Sequence, residues 1–75
     1  MIDYKQRIVT DPEIMLGKPI IKGTRITVEF ILKNLSEGAT KEQLLEDYPH
    51  LTEEDILSVL AYSADLVASK EELIA

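Results

Sequence analysis

Gly17-Lys18-Pro19-Ile20-Ile21-Lys22-Gly23-Thr24-Arg25-Ile26 sets two glycines and a proline around short β-branched runs, and that grammar specifies a small β-hairpin. Pro19 fixes its own φ and lacks an N–H donor, which suits the edge or the first residue of a strand. Lys22-Gly23 supplies the turn, because glycine takes positive φ without a Cβ clash. The hairpin is expected at residues 18–27. Upstream of it, Ile8-Val9 reads as a short strand and Asp11-Pro12-Glu13 as a turn capped by Asp11.

Downstream the hydrophobic period changes from two to about 3.6, and three capped helices follow. Thr27 stands as N-cap of the first. Val28, Ile31, Leu32 and Leu35 fall at i, i+3, i+4 and i+7 on one buried face, and Gly38 closes the helix in the left-handed conformation. Phe30 lies on the opposite side, either covered by the hairpin or part of an interface. Thr40-Lys41-Glu42-Gln43 is a capping box that opens a short second helix with Leu44, Leu45 and Tyr48 inward, ended by Pro49. Thr52 caps the third, with Glu53, Glu54 and Asp55 in its first turn opposing the positive end of the helix dipole.

The third helix, expected over residues 53–69, carries Ile56, Leu57, Val59, Leu60, Ala61, Ala64, Leu66 and Val67. On a helical wheel these cover well over half the circumference. A surface helix needs an apolar stripe only a little wider than about 100°. Either the hairpin and the tail residues Leu73-Ile74 cover the surplus, or it meets a second copy or another protein.

Seventy-five residues make one domain, divided into a strand and hairpin region (1–27) and a helical region (28–75), and a chain this small buries a modest fraction of its surface. The chain has no cysteine, which removes disulfides, thiolate nucleophiles and cysteine-type zinc sites and agrees with a reducing cytoplasm. The first residues lack the apolar core of a signal peptide, and no apolar run approaches the length of a bilayer span. The net charge of −6 is unevenly spread. Residues 1–40 hold six Lys/Arg against five Asp/Glu, whereas residues 41–75 hold two against nine. An acidic surface of that kind repels nucleic acid, whose affinity for proteins comes largely from basic side chains.

Catalysis has little to work with, and the expectation is no enzyme, no cofactor and no metal. His50 is the only histidine and sits in the Pro49-His50-Leu51 connection with no second ligand beside it. The carboxylates lie where helix caps and solvated faces ordinarily place them, and no phosphate-binding glycine loop occurs. Helix, short turn, helix is nevertheless the topology of helix-turn-helix DNA binders, occupied by residues 41–48 and 53–69. Its second helix opens with three carboxylates and has no cation before Lys70, so direct groove reading by that helix is disfavoured. The better nucleic-acid candidates are Lys18, Lys22 and Arg25 on the hairpin, with Lys5 and Arg7 ahead of it; solubility and edge protection explain the same lysines equally well. The protein-interface candidates are Phe30, Leu57, Val59 and Leu66.

The run Asp11-Pro12-Glu13-Ile14, Gly17-Lys18-Pro19-Ile20, Gly23-Thr24-Arg25-Ile26, Gly38, Tyr48-Pro49, Leu51-Thr52, Asp55-Ile56 and Leu60-Ala61-Tyr62 closely resembles domain-of-unknown-function family 433 over residues 8–66. Two positions depart from the pattern: Leu16, where members often have a second glycine, and Thr27, where proline is common. The resemblance implies a small homodimeric helix-turn-helix protein, a VapB-like antitoxin of a type II module paired with a PIN-like nuclease, able also to bind its operator DNA. The expected architecture is therefore mainly α, a small three-helix, homeodomain-like domain with an N-terminal β-hairpin. The expected function is neutralisation of a nuclease toxin in the cytoplasm by a homodimer. The alternative is a homodimeric transcriptional regulator without a toxin.

Overall fold

The structure, a computed structural model, describes residues 2–74, with side chains as far as Lys70. Its elements run β1 (Ile8–Val9), β2 (Ile20–Ile21), α1 (Val28–Ser36), α2 (Lys41–Asp47) and α3 (Glu53–Ile74), with single 3-10 turns at Tyr4–Gln6 and Met15–Gly17. The architecture is mainly helical with an N-terminal antiparallel two-strand hairpin, as the sequence implied.

The arms of that hairpin differ from the expectation. β2 pairs with β1 in the register Ile8↔Ile21 and Val9↔Ile20, while the chain after the Lys22-Gly23 turn returns to β2 through one bridge, Ile20↔Thr27. The turn itself is as expected. The Ile21 carbonyl accepts the Thr24 N–H at 3.0 Å, with Gly23 at φ +81° in the position that only glycine fills cheaply. Thr27 is needed elsewhere: its hydroxyl accepts the Phe30 N–H at 2.9 Å as N-cap of α1, which ends the strand before it can lengthen. The Pro19 carbonyl takes the N–H of Val28 at 2.9 Å, so the start of β2 is tied to the start of α1.

Local chemistry accounts for the helix ends. Gly38, at φ +98°, donates to the Leu35 carbonyl, and Ala39 donates to the Asn34 carbonyl, which satisfies the last orphan acceptors of α1. Thr40 and Gln43 form both halves of the capping box of α2. A second reciprocal pair opens α3, where the Thr52 hydroxyl accepts the Asp55 N–H at 3.1 Å and the Asp55 carboxylate accepts the Thr52 N–H at 3.0 Å. α3 runs to Ile74, five residues past the expected end.

The core gathers Ile8 and Ile21 from the hairpin, Val28 and Ile31 from α1, Leu44 from α2, Leu51 from the connection, and Ile56 and Val59 from α3. Two polar side chains are buried on the same side of α3. Asp55 is fully used, since its second oxygen accepts from the Arg7 guanidinium at 3.1 Å. The Ser58 hydroxyl has no hydrogen-bond partner. Removing each should therefore act oppositely. Asp55→Ala should cost about 1–2 kcal/mol by losing a cap and one of the two carboxylates that hold Arg7, whereas Ser58→Ala should cost nothing or stabilise by up to about 1 kcal/mol. Urea unfolding of both variants checks this, and equal losses would contradict it.

Met15 (φ +50°), Leu16 (+59°) and Gly17 (+79°) form a left-handed turn, and Leu16 is 93% exposed. Left-handed backbone costs a β-carbon residue about 1–2 kcal/mol, of which glycine returns about 0.5–1 kcal/mol as unfolded-chain entropy. Leu16→Gly is expected to stabilise by about 0.5–1 kcal/mol, read as a higher denaturant midpoint at unchanged m-value. A lower midpoint would mean that the Leu16 side chain supports the fold.

Candidate functional site

The helix-turn-helix unit comprises α2, the connection through Leu51 and Thr52, and α3. Its charge is arranged within itself. Lys41 reaches from α2 to Glu53 at 2.6 Å, and that hydrogen bond raises the lysine pKa. Glu54 and Asp55 both hold Arg7, which arrives from the residue before β1. Every carboxylate in the first turn of α3 is thus engaged, and the cations nearest it are neutralised.

The three cationic candidates do not act as one group. Lys18 donates to Glu29 at the start of α1 at 2.8 Å, and this bond depresses the Glu29 pKa. Lys22 and Arg25 are exposed at the turn and form no ion pair among the described residues. Thr24 stiffens the turn that displays them: its hydroxyl donates to the Ile21 carbonyl at 2.8 Å and accepts the Ile26 N–H at 3.0 Å.

The interface candidates also divide. Val59 is completely buried in the core, which corrects its assignment to an interface: it shares the inner face of α3 with Ile56. Leu57 (45% exposed) and Leu66 (49%) do stand on the surface, while the exposed Phe30 rests edge-to-face on Tyr48 at 5.5 Å. So Phe30 is propped by Tyr48 at the end of α2. Leu60 and Val67 are exposed as well, and the sequence reading did not single them out.

Beside Leu66 and Val67 opens a cleft of about 620 Å³ between α3 and α1. Pro19, Val28, Leu32 and Tyr62 line its apolar floor and walls, with Glu29 and Lys33 on the α1 side. Behind it a latch holds the N-terminus to α3. The Tyr4 hydroxyl donates to Asp65 at 2.7 Å, and its ring meets Tyr62 edge-to-face at 5.6 Å. Among the described residues no group of three or more His, Cys, Asp or Glu is placed to hold a metal, and no helix is long and apolar enough to cross a membrane.

A family model described as a protein of unknown function, DUF433, matches residues 8–63. The chain belongs to the DUF433 family. The crystal structure of a DUF433 member from Anabaena variabilis superposes with a TM-score of 0.80 at 28% identity, covering 93% of this chain and 69% of that one. An uncharacterized protein of Sinorhizobium fredii, y4eO, is 29% identical over 59 residues, 79% of this chain but 27% of its own length. This DUF433 chain thus spans about a quarter of that relative. An uncharacterized protein of Archaeoglobus fulgidus is 58% identical over 24 residues, 32% of this chain and 67% of that protein. The DUF433 match ends at Ser63, inside α3, so the last turns of that helix lie beyond it.

The hydrogen bond to Asp65 is the largest cause of a raised Tyr4 pKa. A group whose folded pKa is raised contributes stability below its ordinary value, here 10.0, and loses it as pH climbs through the folded value. Tyr4 should therefore titrate above its ordinary 10.0 by phenolate absorbance, and Asp65→Asn should bring it back toward that value. Unchanged titration in that variant would break the assignment.

Proposed function

We propose that this protein is a type II antitoxin, a homodimer acting in the cytoplasm by binding and neutralising a PIN-like nuclease rather than by catalysing a reaction. The observation that carries this reading is the double use of α3. One face completes the core, yet Leu57, Leu60, Leu66 and Val67 remain exposed on a helix set within the acidic half of the chain. A surface that combines apolar side chains with net negative charge is complementary to a basic, apolar polypeptide surface, such as one surrounding a nucleic-acid cleft. The cleft between α1 and α3 offers the apolar seat, with an amphipathic segment of the toxin as the fitting occupant.

Co-expression with the product of the neighbouring gene should give a stable complex that lacks nuclease activity. Leu66→Asp should weaken it at least about tenfold by burying a charge in the seat. Failure of every neighbouring product to bind, or nuclease activity left intact in the complex, would reject the reading.

The exposed pair Lys22 and Arg25 favours a second role as a regulator that binds its own promoter through the hairpin turn, since a β-ribbon enters the major groove. Binding of promoter DNA should then fall steeply with salt, and Lys22→Ala with Arg25→Ala should flatten that salt dependence.

A further inference from the structure

The rim of the cleft between α1 and α3 carries charge opposite to that of the acidic body around it. Of the eight cations in the chain, Arg7, Lys18 and Lys41 are held in ion pairs, and Lys22 and Arg25 stand at the hairpin turn. Lys5 lies in the N-terminal segment. The two that remain are Lys33 and Lys70, one on each helix that walls the cleft. Both are exposed, and neither forms an ion pair among the described residues.

Lys33 lines the cleft directly. Lys70 follows Leu66 by four residues, the spacing that stacks side chains on one face of a helix, so it continues the α3 wall outward. The carboxylates nearest Lys33 on its own helix are Glu29 and Glu37, one turn to either side. Glu29 is taken by Lys18 at 2.8 Å, and Glu37 forms no ion pair with Lys33. On α3, Asp65 accepts the Tyr4 hydroxyl behind the cleft. The hydroxyls in the lining are used internally as well: Ser36 donates to the Lys33 carbonyl and Ser63 to the Val59 carbonyl, each at 2.7 Å. The cleft therefore offers an apolar seat that asks an occupant for few hydrogen bonds, with uncompensated positive charge at its edge.

We infer that the occupant of this cleft is an amphipathic helix of another polypeptide that carries carboxylates beside its apolar stripe. The inference rests on the reading of the cleft as a polypeptide seat given above and adds the sign of charge that the seat selects. That sign is the reverse of what the net charge of −6 suggests. The outer face of α3 suits a basic surface, whereas the cleft selects an acidic segment.

Shape and chemistry narrow the occupant to a helix. The α1 wall runs from Val28 to Ser36, about 12 Å at 1.5 Å per residue, the length of two turns with apolar residues at i, i+3, i+4 and i+7. An extended peptide needs a free strand edge, and the long walls here are helices. A small ligand is ordinarily buried by about 70–90%, while Leu66 and Val67 leave the α3 side open to water. Nucleic acid requires a cationic track, and here two cations flank an apolar floor. A second copy set cleft to cleft would bring lysines against lysines.

Two fluorescein-labelled synthetic peptides test this, sharing leucines at i, i+3, i+4 and i+7 and differing only in glutamate or lysine beside that stripe. In low salt the glutamate peptide should bind the unaltered chain at least about tenfold more tightly by anisotropy, and the gap should narrow as salt rises. Net charge alone predicts the opposite order. Lys33→Gln with Lys70→Gln should remove most of the gap, and Lys33→Glu with Lys70→Glu should reverse it at unchanged helical circular dichroism. If the reversed variant loses helix, the glutamine variant decides. Methyl resonances of Leu32, Leu66 and Val67 should shift on binding, and those of Leu57 should not.

Failure of both peptides to bind more tightly than about 1 mM, the level of a weak encounter, would overturn the inference. So would equal affinities, a preference for lysine, or shifts centred on Leu57. A glutamate peptide that enters the cleft only by splitting a homodimer, seen by sedimentation, would assign the seat to a second copy and overturn it too. The two readings fail separately: a glutamate-selective cleft in a chain that neutralises no nuclease removes only the antitoxin, and neutralisation by a chain whose cleft shows no such preference removes only this inference.

Discussion

The Asp55 carboxylate is the joint on which the rest of the fold turns. One oxygen accepts the Thr52 N–H and so closes the first turn of α3; the other accepts the guanidinium of Arg7 and so brings the N-terminal segment onto that helix. The two-stranded sheet needs this attachment, because β1 and β2 are two residues each and an isolated hairpin is marginal in water. With Arg7 docked, Ile8 and Ile21 enter the core beside Ile56 and Val59, and the sheet acquires the apolar support it lacks alone. An ion pair at such a joint adds little net attraction compared with an apolar contact of the same size. Its effect lies in the alternatives, since any other register of the first strand leaves a nearly buried carboxylate unpaired.

The same joint sets the electrostatics of the surface. Arg7 is consumed by Glu54 and Asp55, Lys41 by Glu53, and Lys18 by Glu29. These surface pairs contribute little stability individually, yet together they determine which charges remain to meet a partner. Lys22 and Arg25 are left at the hairpin turn, and uncompensated carboxylates are left along the helical half. The molecule is therefore polar in the electrostatic sense, with a cationic tip and an acidic body, and a recognition helix of the usual DNA-reading kind does not emerge from α2 and α3.

What was legible in the sequence is what depends on residues within about four positions of one another. Thr27, the Thr40–Gln43 box, Gly23 and Gly38 each satisfy a backbone group nearby, so their roles follow from spacing alone. Pairings across the chain were not legible. Ile8-Val9 carries too little pattern to reveal that it, rather than the arm ending at Thr27, is the main partner of β2. Arg7 and Asp55 lie 48 residues apart, and Asp55 reads in sequence as one more acid in a helix start. Val59 was misplaced for a related reason: on a helix apolar nearly all round, a wheel does not say which side is inside, and only the positions of α1 and the hairpin decide it. Leu16 carried a signal in its departure from a glycine pattern, and its positive φ gives the physical meaning of that pattern.

The two faces of α3 follow from the size of the domain. A chain of 75 residues has few buried positions, and α3 needs only its Ile56 and Val59 side to finish the core. Apolar residues beyond that requirement do not raise the stability of the lone chain, because their transfer from water is left incomplete. Nor does the helix itself require them, since alanine, lysine and glutamate propagate helix as well as leucine or better than valine. The seven residues from Ala64 to Lys70 are each exposed, with the Tyr4 hydroxyl on Asp65 tying them to the N-terminal segment, and so few residues do not hold helix alone in water. Their continuity with the anchored first half nucleates them, but Leu66 and Val67 on such an extension have an energetic use only when another surface completes their burial.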